Sequence, residues 1–484
     1  MDLETLLPLG MFVALAFFLF SGYPVAFVLG GVGLAFGFLA IALDPGWYNI
    51  AMFSAIPSRI FGGIAENLIL TAIPMFIFMG TMLERSGVAK DLLYCLEVLL
   101  RRVPGGLAIS VVLMGTIMAA TTGIIGASVV MMTLLALPTM MKMGYDNRLA
   151  TGSIAASGTL GILIPPSIML VIMADLLGRS VGNLFFAAFF PGLILAGLYV
   201  VYVCTISAIF PKMAPSSDAD FGPQTSLARF GMVMQSFIPP VFLIFLVLGS
   251  ILLGWATPTE AAGVGAAGSV LLGFVNLVVL PRIGINSLEE RYGAIGGTDT
   301  VVEERETFFV VIKDVVVRAA LTNAMIFGLF IGATMFSFVF RNLGGDDVVI
   351  NLVEGLGLGS WGLLFLIMGL VFVLGFFFDW LEITLIVLPV FTPIIEILDF
   401  GSHVPQADMI YWFAILLAVN LQTSFLTPPF GFALFYMKAV APAGVKIEHI
   451  YAGIVPFVLL QLIGLGLVMA FPDIALWLPR TFLN

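Results

Sequence analysis

The chain has few charged residues. Only 10% of its 484 residues are Asp, Glu, Lys or Arg, whereas 61% are hydrophobic. Soluble globular proteins contain about 25% charged and about 45–50% apolar residues. Because a soluble fold of this length needs more charge to cover its surface, the composition excludes an ordinary soluble globular protein.

Residues that build disulfide frameworks or metal sites are also scarce. The chain has two cysteines, Cys95 and Cys204, and two histidines, His403 and His449. The cysteines form no CxxC pair, and so few histidines argue against a histidine-rich transition-metal site. The absence of Walker, HExxH and GxSxG motifs leaves no ATPase or hydrolase signature. The net charge of −10 argues against a nucleic-acid partner.

Long apolar runs recur along the whole chain. Most of them are long enough to cross roughly 30 Å of hydrocarbon, which indicates an all-α polytopic membrane protein. The start is acidic, with Asp2 and Glu4, so we expect residues 5–21 to be a retained crossing and not a signal peptide. The predicted apolar segments are 5–21, 24–43, 66–83, 104–142, 149–175, 191–210, 231–253, 260–280, 319–340, 360–396, 410–437 and 450–471.

Two of these segments, 104–142 and 360–396, are too long for one crossing. The first is interrupted by TTGIIGAS at 121–128, and the second by Asp379 and Glu382. Each pattern is typical of a re-entrant helical hairpin, which enters and leaves the membrane on the same side.

Positive charge predicts the orientation. When residues 85–102 and 142–148 are placed in the cytoplasm, 15 of the 19 Lys and Arg residues become cytoplasmic. This arrangement requires that both long segments return to their starting side. It leaves both termini outside and makes residues 283–310 a flexible cytoplasmic insert, for which a plain loop and a regulatory docking segment remain alternatives. The positively charged residues that remain outside are then Arg59, Arg179, Arg341 and Arg480.

An internal repeat follows the two hairpins. GTLGILIPPS (158–167) and QTSFLTPPFG (422–431) both place small or hydroxyl residues before an apolar stretch and a Pro-Pro pair. Opposite starting sides make the two units inverted repeats. The predicted regions are scaffold helices in 1–65, a first repeat in 66–190 with broken helix 149–175, scaffold helices and the insert in 191–318, a second repeat in 319–440 with broken helix 410–437, and a C-terminal helix in 441–484.

The proline pairs predict free carbonyl oxygens. A proline within a helix lacks the N–H that would pair with the carbonyl four residues earlier. A bare carbonyl in hydrocarbon costs several kcal/mol, so it needs another partner, such as a sodium ion. A kinked helix relieved by neighbours or water is the alternative. The carbonyls freed by Pro165, Pro166, Pro428 and Pro429 are those of Gly161, Ile162, Ser424 and Phe425.

The hairpin tips contain the other candidate site residues. Tip one has Thr121, Thr122, Gly123, Gly126 and Ser128, for which close helix packing is the alternative explanation. Tip two has Gly375, Asp379 and Glu382. Ionisable groups at membrane depth are functional by default, although a structural ion pair is also conceivable. In GWATPTEAAGVGAAG (254–268), Thr257 or Thr259 with Glu260 resembles a helix cap.

Three blocks resemble a known transporter family. GYDNRLATGSIAASGTLGILIPPS (144–167), GWATPTEAAGVGA (254–266) and NLQTSFLTPPFGFALF (420–435) resemble the large membrane subunit of tripartite ATP-independent periplasmic (TRAP) transporters. The similarity runs from about residue 5 to residue 471. GASVVMM (126–132) and NLQTSFLTPPF resemble the mannitol/chloroaromatic branch, which also serves 2-oxo acids and lactate.

The resemblance implies sodium-driven import of an organic acid across the bacterial inner membrane. A periplasmic solute-binding protein would deliver the substrate, and a small four-helix membrane subunit, here a separate chain, would stabilise a scaffold. The hairpins and broken helices would move as an elevator. The coupling ion would be Na⁺, with no other cofactor.

The resemblance also implies the ligands of the ion and the substrate. Sodium sites in the family lie where the hairpin tips meet the broken helices. Many relatives carry GSAVADA at tip one, so the acidic residue is missing from this chain, which leaves the ligand set open. The implied sodium ligands are Gly126, Ser128, Thr159, Gly161, Ile162, Gly375, Asp379, Thr423, Ser424, Phe425 and Thr427, and the implied substrate-binding residues are Ser128, Pro165, Asp379, Glu382 and Pro428.

Other functions fit the sequence less well. A stand-alone sodium or proton symporter of similar architecture would need no binding protein. An intramembrane enzyme would need convergent catalytic groups, but only Asp379 and Glu382 qualify, one helical turn apart. A passive scaffold would gain nothing from paired helix breaks. Because no Lys or Arg lies deep in a hairpin or broken helix, we expect backbone N–H groups to hold the substrate anion.

Overall fold

The computed structural model describes residues 3–45, 48–122, 125–216, 222–293, 306–396, 398–428 and 431–482. All regular elements in these ranges are helices. Within the same ranges, seven helices are long and apolar enough to cross a membrane, which confirms the predicted fold class of an all-α polytopic protein. They are Val25–Leu43, Ile125–Lys142, Val181–Ile209, Ser226–Leu252, Pro258–Arg282, Phe308–Asn342 and Ile447–Ala470.

The first repeat unit begins with helix Ala72–Arg85 and the short helix Val88–Leu100, joined at Gly87 with a φ of 82°. Next comes a helical pair, which we call hairpin 1. Broken helix 1 follows. The arms of hairpin 1 are Gly106–Thr122 and Ile125–Lys142, and the halves of broken helix 1 are Asn147–Thr159 and Ile168–Leu176.

The second unit has the same order of elements. Helix Phe308–Asn342 leads to the short helix Gly345–Gly355 through Gly344, whose φ is 80°. Only glycine adopts such a φ at low cost, which explains a glycine at both junctions. The inverted relation between the units stays a prediction. The arms of hairpin 2 are Ser360–Leu374 and Trp380–Ile395, and the halves of broken helix 2 are Met409–Ser424 and Phe432–Val440.

Small residues allow the surrounding helices to pack closely. Helix Ala72–Arg85 packs against Pro258–Phe274, and Val25–Leu43 packs against Phe308–Asn342. At Gly332 an added methyl group would lie 2.3 Å from the carbonyl oxygen of Ala26. Such contacts, in which backbones touch, are typical of helix interfaces inside membranes.

Several short helices have no counterpart among the predicted apolar segments. They include Val88–Leu100, Gly345–Gly355 and Asp473–Phe482. The last one makes two helices of the C-terminal region, for which a single helix is expected from the sequence. Each of the three has at most 13 residues and is amphipathic, so its sequence contains no apolar run long enough to cross the membrane.

The ends of the 283–310 insert are folded. Residues 294–305 lie outside the described residues, but Leu288–Tyr292 forms a short helix that packs against Val88–Leu100. The prediction of a flexible insert is therefore wrong for its first residues. The amphipathic segment LEERY supplies one buried leucine to this contact, Leu288.

A buried carboxylate anchors this short helix. Asp91 accepts hydrogen bonds from the Leu288 backbone N–H at 3.0 Å and from Gln235 Nε2 at 3.1 Å. Burial raises the pKa of Asp91, because removal from water disfavours the charged form. The start of the insert thus ties the helix that precedes hairpin 1 to helix Ser226–Ile244.

The predicted helix start in the 254–268 block is confirmed. Thr257 accepts from the Glu260 N–H at 3.3 Å, and Glu260 accepts from the Thr257 N–H at 2.8 Å. This capping box satisfies two N–H groups at the start of Pro258–Phe274. The structural explanation of this motif is therefore sufficient.

Candidate functional site

Hairpin 1 lies against the first broken helix. Both of its arms pack on Asn147–Thr159, and the first arm also contacts the 3-10 turn Leu160–Ile162. A methyl group on Gly115 would lie 2.6 Å from Ser157 Cβ, and one on Gly158 would lie 2.3 Å from a methyl carbon of Val129. These small residues let the hairpin approach the helix closely where its regular hydrogen bonding ends.

The break in helix 1 leaves one of its two predicted carbonyls without a hydrogen bond from the described residues. The Ser167 hydroxyl donates to the Ile162 carbonyl, so this oxygen has one partner inside the chain. In the part of the chain that the structure describes, no group donates to the Gly161 carbonyl. A carbonyl oxygen has two lone pairs. The Ile162 carbonyl can therefore still accept from, or coordinate, one more partner, and both lone pairs of the Gly161 carbonyl remain available.

The break in helix 2 shows the same feature at two residues. The N–H groups of Leu426 and Thr427 both turn back to the Thr423 carbonyl, at 3.1 and 3.0 Å. Among the described residues no group donates to the carbonyls of Ser424 or Phe425. Pro429 and Phe430 lie outside the described residues, whereas Pro428 is described and exposed.

The hydroxyl groups at both breaks donate to carbonyls one turn earlier. Thr159 donates to Ala156 at 2.8 Å, Thr423 to Asn420 at 2.6 Å, Ser424 to Leu421 at 2.5 Å, and Thr427 to Thr423 at 2.9 Å. Because the hydrogen is used within the helix, the oxygen lone pairs remain available. This orientation suits a cation, which must not meet the hydrogen of a hydroxyl ligand.

Tip two rests directly on the end of broken helix 2. A methyl group on Gly375 would lie 2.7 Å from Ser424 Cβ and 3.1 Å from Ser424 Cα. The first arm is held in place by Asn420, whose Nδ2 donates to the Met368 carbonyl at 2.8 Å. The structure therefore brings Gly375 and Ser424 together, as the predicted site requires.

Asp379 and Glu382 have a structural role that the sequence analysis did not assign. Asp379 caps the second arm of hairpin 2 and accepts from the Trp380 N–H at 2.8 Å. Glu382 accepts in turn from the Asp379 N–H at 3.2 Å, which completes a capping box. Backbone N–H groups at a helix start therefore stabilise the Asp379 carboxylate, without an ion pair to a basic side chain among the described residues.

Each hairpin contacts the broken helix of the other repeat unit. The second arm of hairpin 1 packs against the second half of broken helix 2, and the second arm of hairpin 2 packs against the second half of broken helix 1. Gly126 contacts the Tyr436 ring, since a methyl group on Gly126 would lie 3.0 Å from the nearest ring carbon. Tyr436 also interacts electrostatically with Asp379. Tyr436 therefore contacts tip one and lies within electrostatic range of Asp379 in tip two.

Tip one is only partly described. Gly123 and Ile124 lie outside the described residues, and so do the side chains of Thr121 and Thr122. Ser128 is buried and has an interaction partner. The structure shows contacts of Gly126 with Tyr436 and of Val129 with Gly158, so tip one lies between the two broken helices.

Several polar residues around the breaks were missed in the sequence. Tyr199 points its hydroxyl at the side chains of Gln461 and Thr159, without hydrogen-bond geometry to either. Tyr199 and Gln461 are fully buried, and so is Gln422 beside the second break. A polar residue within an apolar run was the available signal, but its partners are distant in sequence.

A cavity of about 540 Å³ lies elsewhere, between helix Leu3–Phe20, helix Gly345–Gly355 and both arms of hairpin 2. All its lining residues are apolar, for example Phe12, Leu370 and Val387. Such a lining offers no ligand to an ion or an organic acid. This cavity is therefore not the candidate transport site.

Relatives with known names share nearly the whole chain. The C4-dicarboxylate TRAP transporter large permease protein DctM of Pseudomonas aeruginosa is 28% identical over 416 residues, which are 86% of this chain and 87% of that protein. The isethionate TRAP transporter permease protein DctMQ of Oleidesulfovibrio alaskensis is 28% identical over 470 residues, which are 96% of this chain and 65% of that protein.

A solved structure has a similar fold. The YdaH transporter of Alcanivorax borkumensis matches with a TM-score of 0.53 and 14% sequence identity, over 87% of each chain. At this identity the likeness concerns the fold alone. It confirms that the helices are arranged as in a known membrane transporter.

The family assignment covers almost all residues. Residues 12–474 match the family described as tripartite ATP-independent periplasmic transporter, DctM component. With the seven apolar spans among the described residues, this match identifies a multi-pass inner-membrane transport protein and not an enzyme. The chain belongs to the DctM family, the large permease component of TRAP transporters.

Proposed function

We propose that this chain is the large permease subunit of a sodium-coupled transporter that takes up a small organic acid from a periplasmic binding protein. The observation that carries this proposal is the contact between Gly375 and Ser424, next to carbonyls of Ser424 and Phe425 that receive no hydrogen bond from described residues. Undonated carbonyls inside a membrane need a partner, and a hard cation takes oxygen ligands.

The better supported of two sodium sites lies at tip two. Its oxygen ligands come from backbone carbonyls and hydroxyls whose hydrogens are already used, together with the Asp379 carboxylate. The first site, at tip one, has fewer free oxygens because the Ser167 hydroxyl already donates to the Ile162 carbonyl. The proposed ligands are Gly375, Asp379, Thr423, Ser424, Phe425 and Thr427 at the second site, and Gly126, Ser128, Thr159, Gly161 and Ile162 at the first.

The substrate is an anion that binds between the tips. Residues 106–141, 158–176, 360–396 and 420–437 contain no Lys, Arg or His, so no side chain there supplies a full positive charge. The starts of the second arms and second half-helices offer N–H groups and the positive ends of helix dipoles. Ser128, Pro165, Asp379, Glu382 and Pro428 are the proposed contact residues.

The complex needs two partners. The matched part of DctMQ is only 65% of that protein, and the name joins two components. The present chain would instead use a separate small membrane subunit, together with a periplasmic solute-binding protein. The two tips and broken helices would move together as an elevator against the closely packed scaffold helices.

Sodium dependence tests the proposal. We expect the purified complex in liposomes to take up radiolabelled organic acid only with its binding protein and an inward sodium gradient, and without ATP. Pro165→Ala and Pro428→Ala restore an N–H four residues after Gly161 and Ser424, so each should raise the sodium concentration for half-maximal uptake. Pro456→Ala, within helix Ile447–Ala470, is the matched control.

Three results would contradict parts of this proposal. Uptake without sodium in all variants excludes sodium coupling. Uptake that needs no binding protein favours a stand-alone symporter of similar architecture. If both proline variants keep the wild-type sodium response, the free-carbonyl explanation of the ion sites is wrong.

The orientation is tested with single cysteines. We expect both termini outside and the insert inside, because 15 of 19 Lys and Arg residues are then cytoplasmic. In a Cys204→Ser background, Ile283→Cys, at a side chain that is 63% exposed, should react with an impermeant thiol reagent only after permeabilisation. Thr481→Cys should react in intact spheroplasts. The opposite labelling pattern would reverse the topology.

A further inference from the structure

One phenol stands where the two hairpin tips converge. In the segments that build the tips and breaks, 106–141, 158–176, 360–396 and 420–437, Tyr436 is the single tyrosine. The same segments have no Lys, Arg or His. Besides the Ser and Thr hydroxyls, the side-chain donors there are the phenol of Tyr436, the buried Trp380, Asn420 and Gln422, and the exposed Trp361 at the start of hairpin 2.

The ring of Tyr436 connects hairpin 1 with hairpin 2. An added methyl group on Gly126 would lie 3.0, 3.2 and 3.3 Å from the Cε2, Cζ and Cδ2 atoms of the ring, so the hydroxyl-bearing edge lies against tip one. The Asp379 carboxyl of tip two is close enough to interact electrostatically with the hydroxyl.

The hydroxyl of Tyr436 is available for a ligand. Its neighbours Ala433, Leu434 and Met437 are buried, whereas Tyr436 itself is 45% exposed. Within the described ranges it makes no hydrogen bond, while the Ser and Thr hydroxyls at the breaks are bonded to carbonyls. An exposed phenol that has no hydrogen-bond partner among the described residues, in a region that lacks cationic side chains, is suited to donate to a carboxylate oxygen.

We infer that Tyr436 is a substrate-binding residue whose hydroxyl donates to a carboxylate oxygen of the transported acid. The inference rests on the proposed function and extends it to a residue outside the predicted ligand set. The sodium ion at tip two neutralises Asp379, so the substrate carboxylate binds beside the phenol without facing an uncompensated charge. Tyr436 then donates a hydrogen bond to the substrate anion, whereas Asp379 contributes to the substrate site through the sodium ion.

Uptake kinetics test this role. The complex with its small subunit and binding protein is reconstituted in liposomes, and radiolabelled succinate, lactate and pyruvate are the probes. Tyr436→Phe keeps the ring against Gly126 and removes the donor. The KM of the transported acid should rise about tenfold or more, with the sodium concentration for half-maximal uptake unchanged. Tyr411→Phe is the matched control. In the wild type, the Tyr411 hydroxyl accepts a hydrogen bond from Asn183 Nδ2 at 3.3 Å.

Thiol protection gives a second, independent measurement. In a Cys204→Ser background, Tyr436→Cys should react slowly with a thiol reagent when sodium is present together with the transported acid at a concentration well above its raised KM, and quickly without the acid. Ala439→Cys, at an exposed position on the same half-helix, should react equally in both conditions.

The outcomes are distinguishable. An unchanged KM in Tyr436→Phe, or no protection at position 436, overturns the inference and leaves sodium-coupled uptake intact. A changed sodium response with an unchanged KM assigns the phenol to the ion and also overturns the inference. If the wild-type complex takes up none of the three acids under a sodium gradient, the proposed function fails, and the inference fails with it.

Discussion

Gly375→Ala should reduce sodium-driven uptake by about 100-fold, because it pushes tip two away from the second break. The added methyl group would lie 2.7 Å from Ser424 Cβ and 3.1 Å from Ser424 Cα. These atoms belong to or adjoin the backbone, so no flexible side chain can move aside. A displacement of about 1 Å in a site that needs exact geometry costs about a hundredfold in rate.

Backbone strain does not explain this expectation. Gly375 ends the first arm with φ −60° and ψ −16°, which alanine adopts easily. Alanine is even the better helix former by about 0.5–1 kcal/mol. Only the missing space beside Ser424 makes the substitution harmful.

A matched glycine in the same arm provides the control. An added methyl group on Gly369 would meet nothing within 4 Å, so Gly369→Ala should preserve uptake. Both variants are checked for assembly with the small subunit by size-exclusion chromatography. Wild-type uptake by Gly375→Ala would mean that the contact between tip two and broken helix 2 has no part in transport.

The sequence predicts those features that depend on local rules. Apolar runs longer than one crossing, in 104–142 and 360–396, correctly predict two helical pairs, because the hydrocarbon thickness limits a single span. The proline pairs predict the breaks, since a missing N–H ends regular hydrogen bonding whatever surrounds it.

The rest depends on tertiary contacts that the sequence does not display. Val88–Leu100 is amphipathic and short, and its docking through Asp91 on Leu288 joins residues almost 200 positions apart. The role of Tyr436 depends on Gly126 and Asp379, which belong to different repeat units. The spacing of three between Asp379 and Glu382 is that of a capping box, but two acidic residues at membrane depth also fit an ion site, so the sequence alone does not distinguish the two.

Two roles of Asp379 make different predictions, and an asparagine separates them. As a cap, Asp379 only needs an oxygen that accepts from the Trp380 N–H, at 2.8 Å. Asparagine caps helices about as well as aspartate, so Asp379→Asn should keep hairpin 2 folded. Asparagine lacks the negative charge, however, and so it is a poorer ligand for sodium.

We expect Asp379→Asn to raise the sodium concentration for half-maximal uptake at least about tenfold, a loss of about 1.4 kcal/mol in binding free energy. Asp379→Ala should show the same loss and also a lower unfolding temperature, because the cap costs about 1 kcal/mol when removed. Uptake is measured against sodium concentration, and stability by thermal unfolding of the complex with its small subunit.

Glu382→Gln is the control within the same capping box. Glutamine can still accept a hydrogen bond from the Asp379 N–H, and position 382 lies one turn into the arm. The sodium response of the Glu382→Gln variant should therefore stay near that of the wild type. Measurements at two pH values distinguish sodium from a proton as the partner of Asp379. If Asp379 carries a proton, the Asp379→Asn variant should resemble the wild type at low pH and keep its sodium response. A lost sodium response in Glu382→Gln and an intact one in Asp379→Asn would assign the ion to the other acid and leave Asp379 as a cap alone.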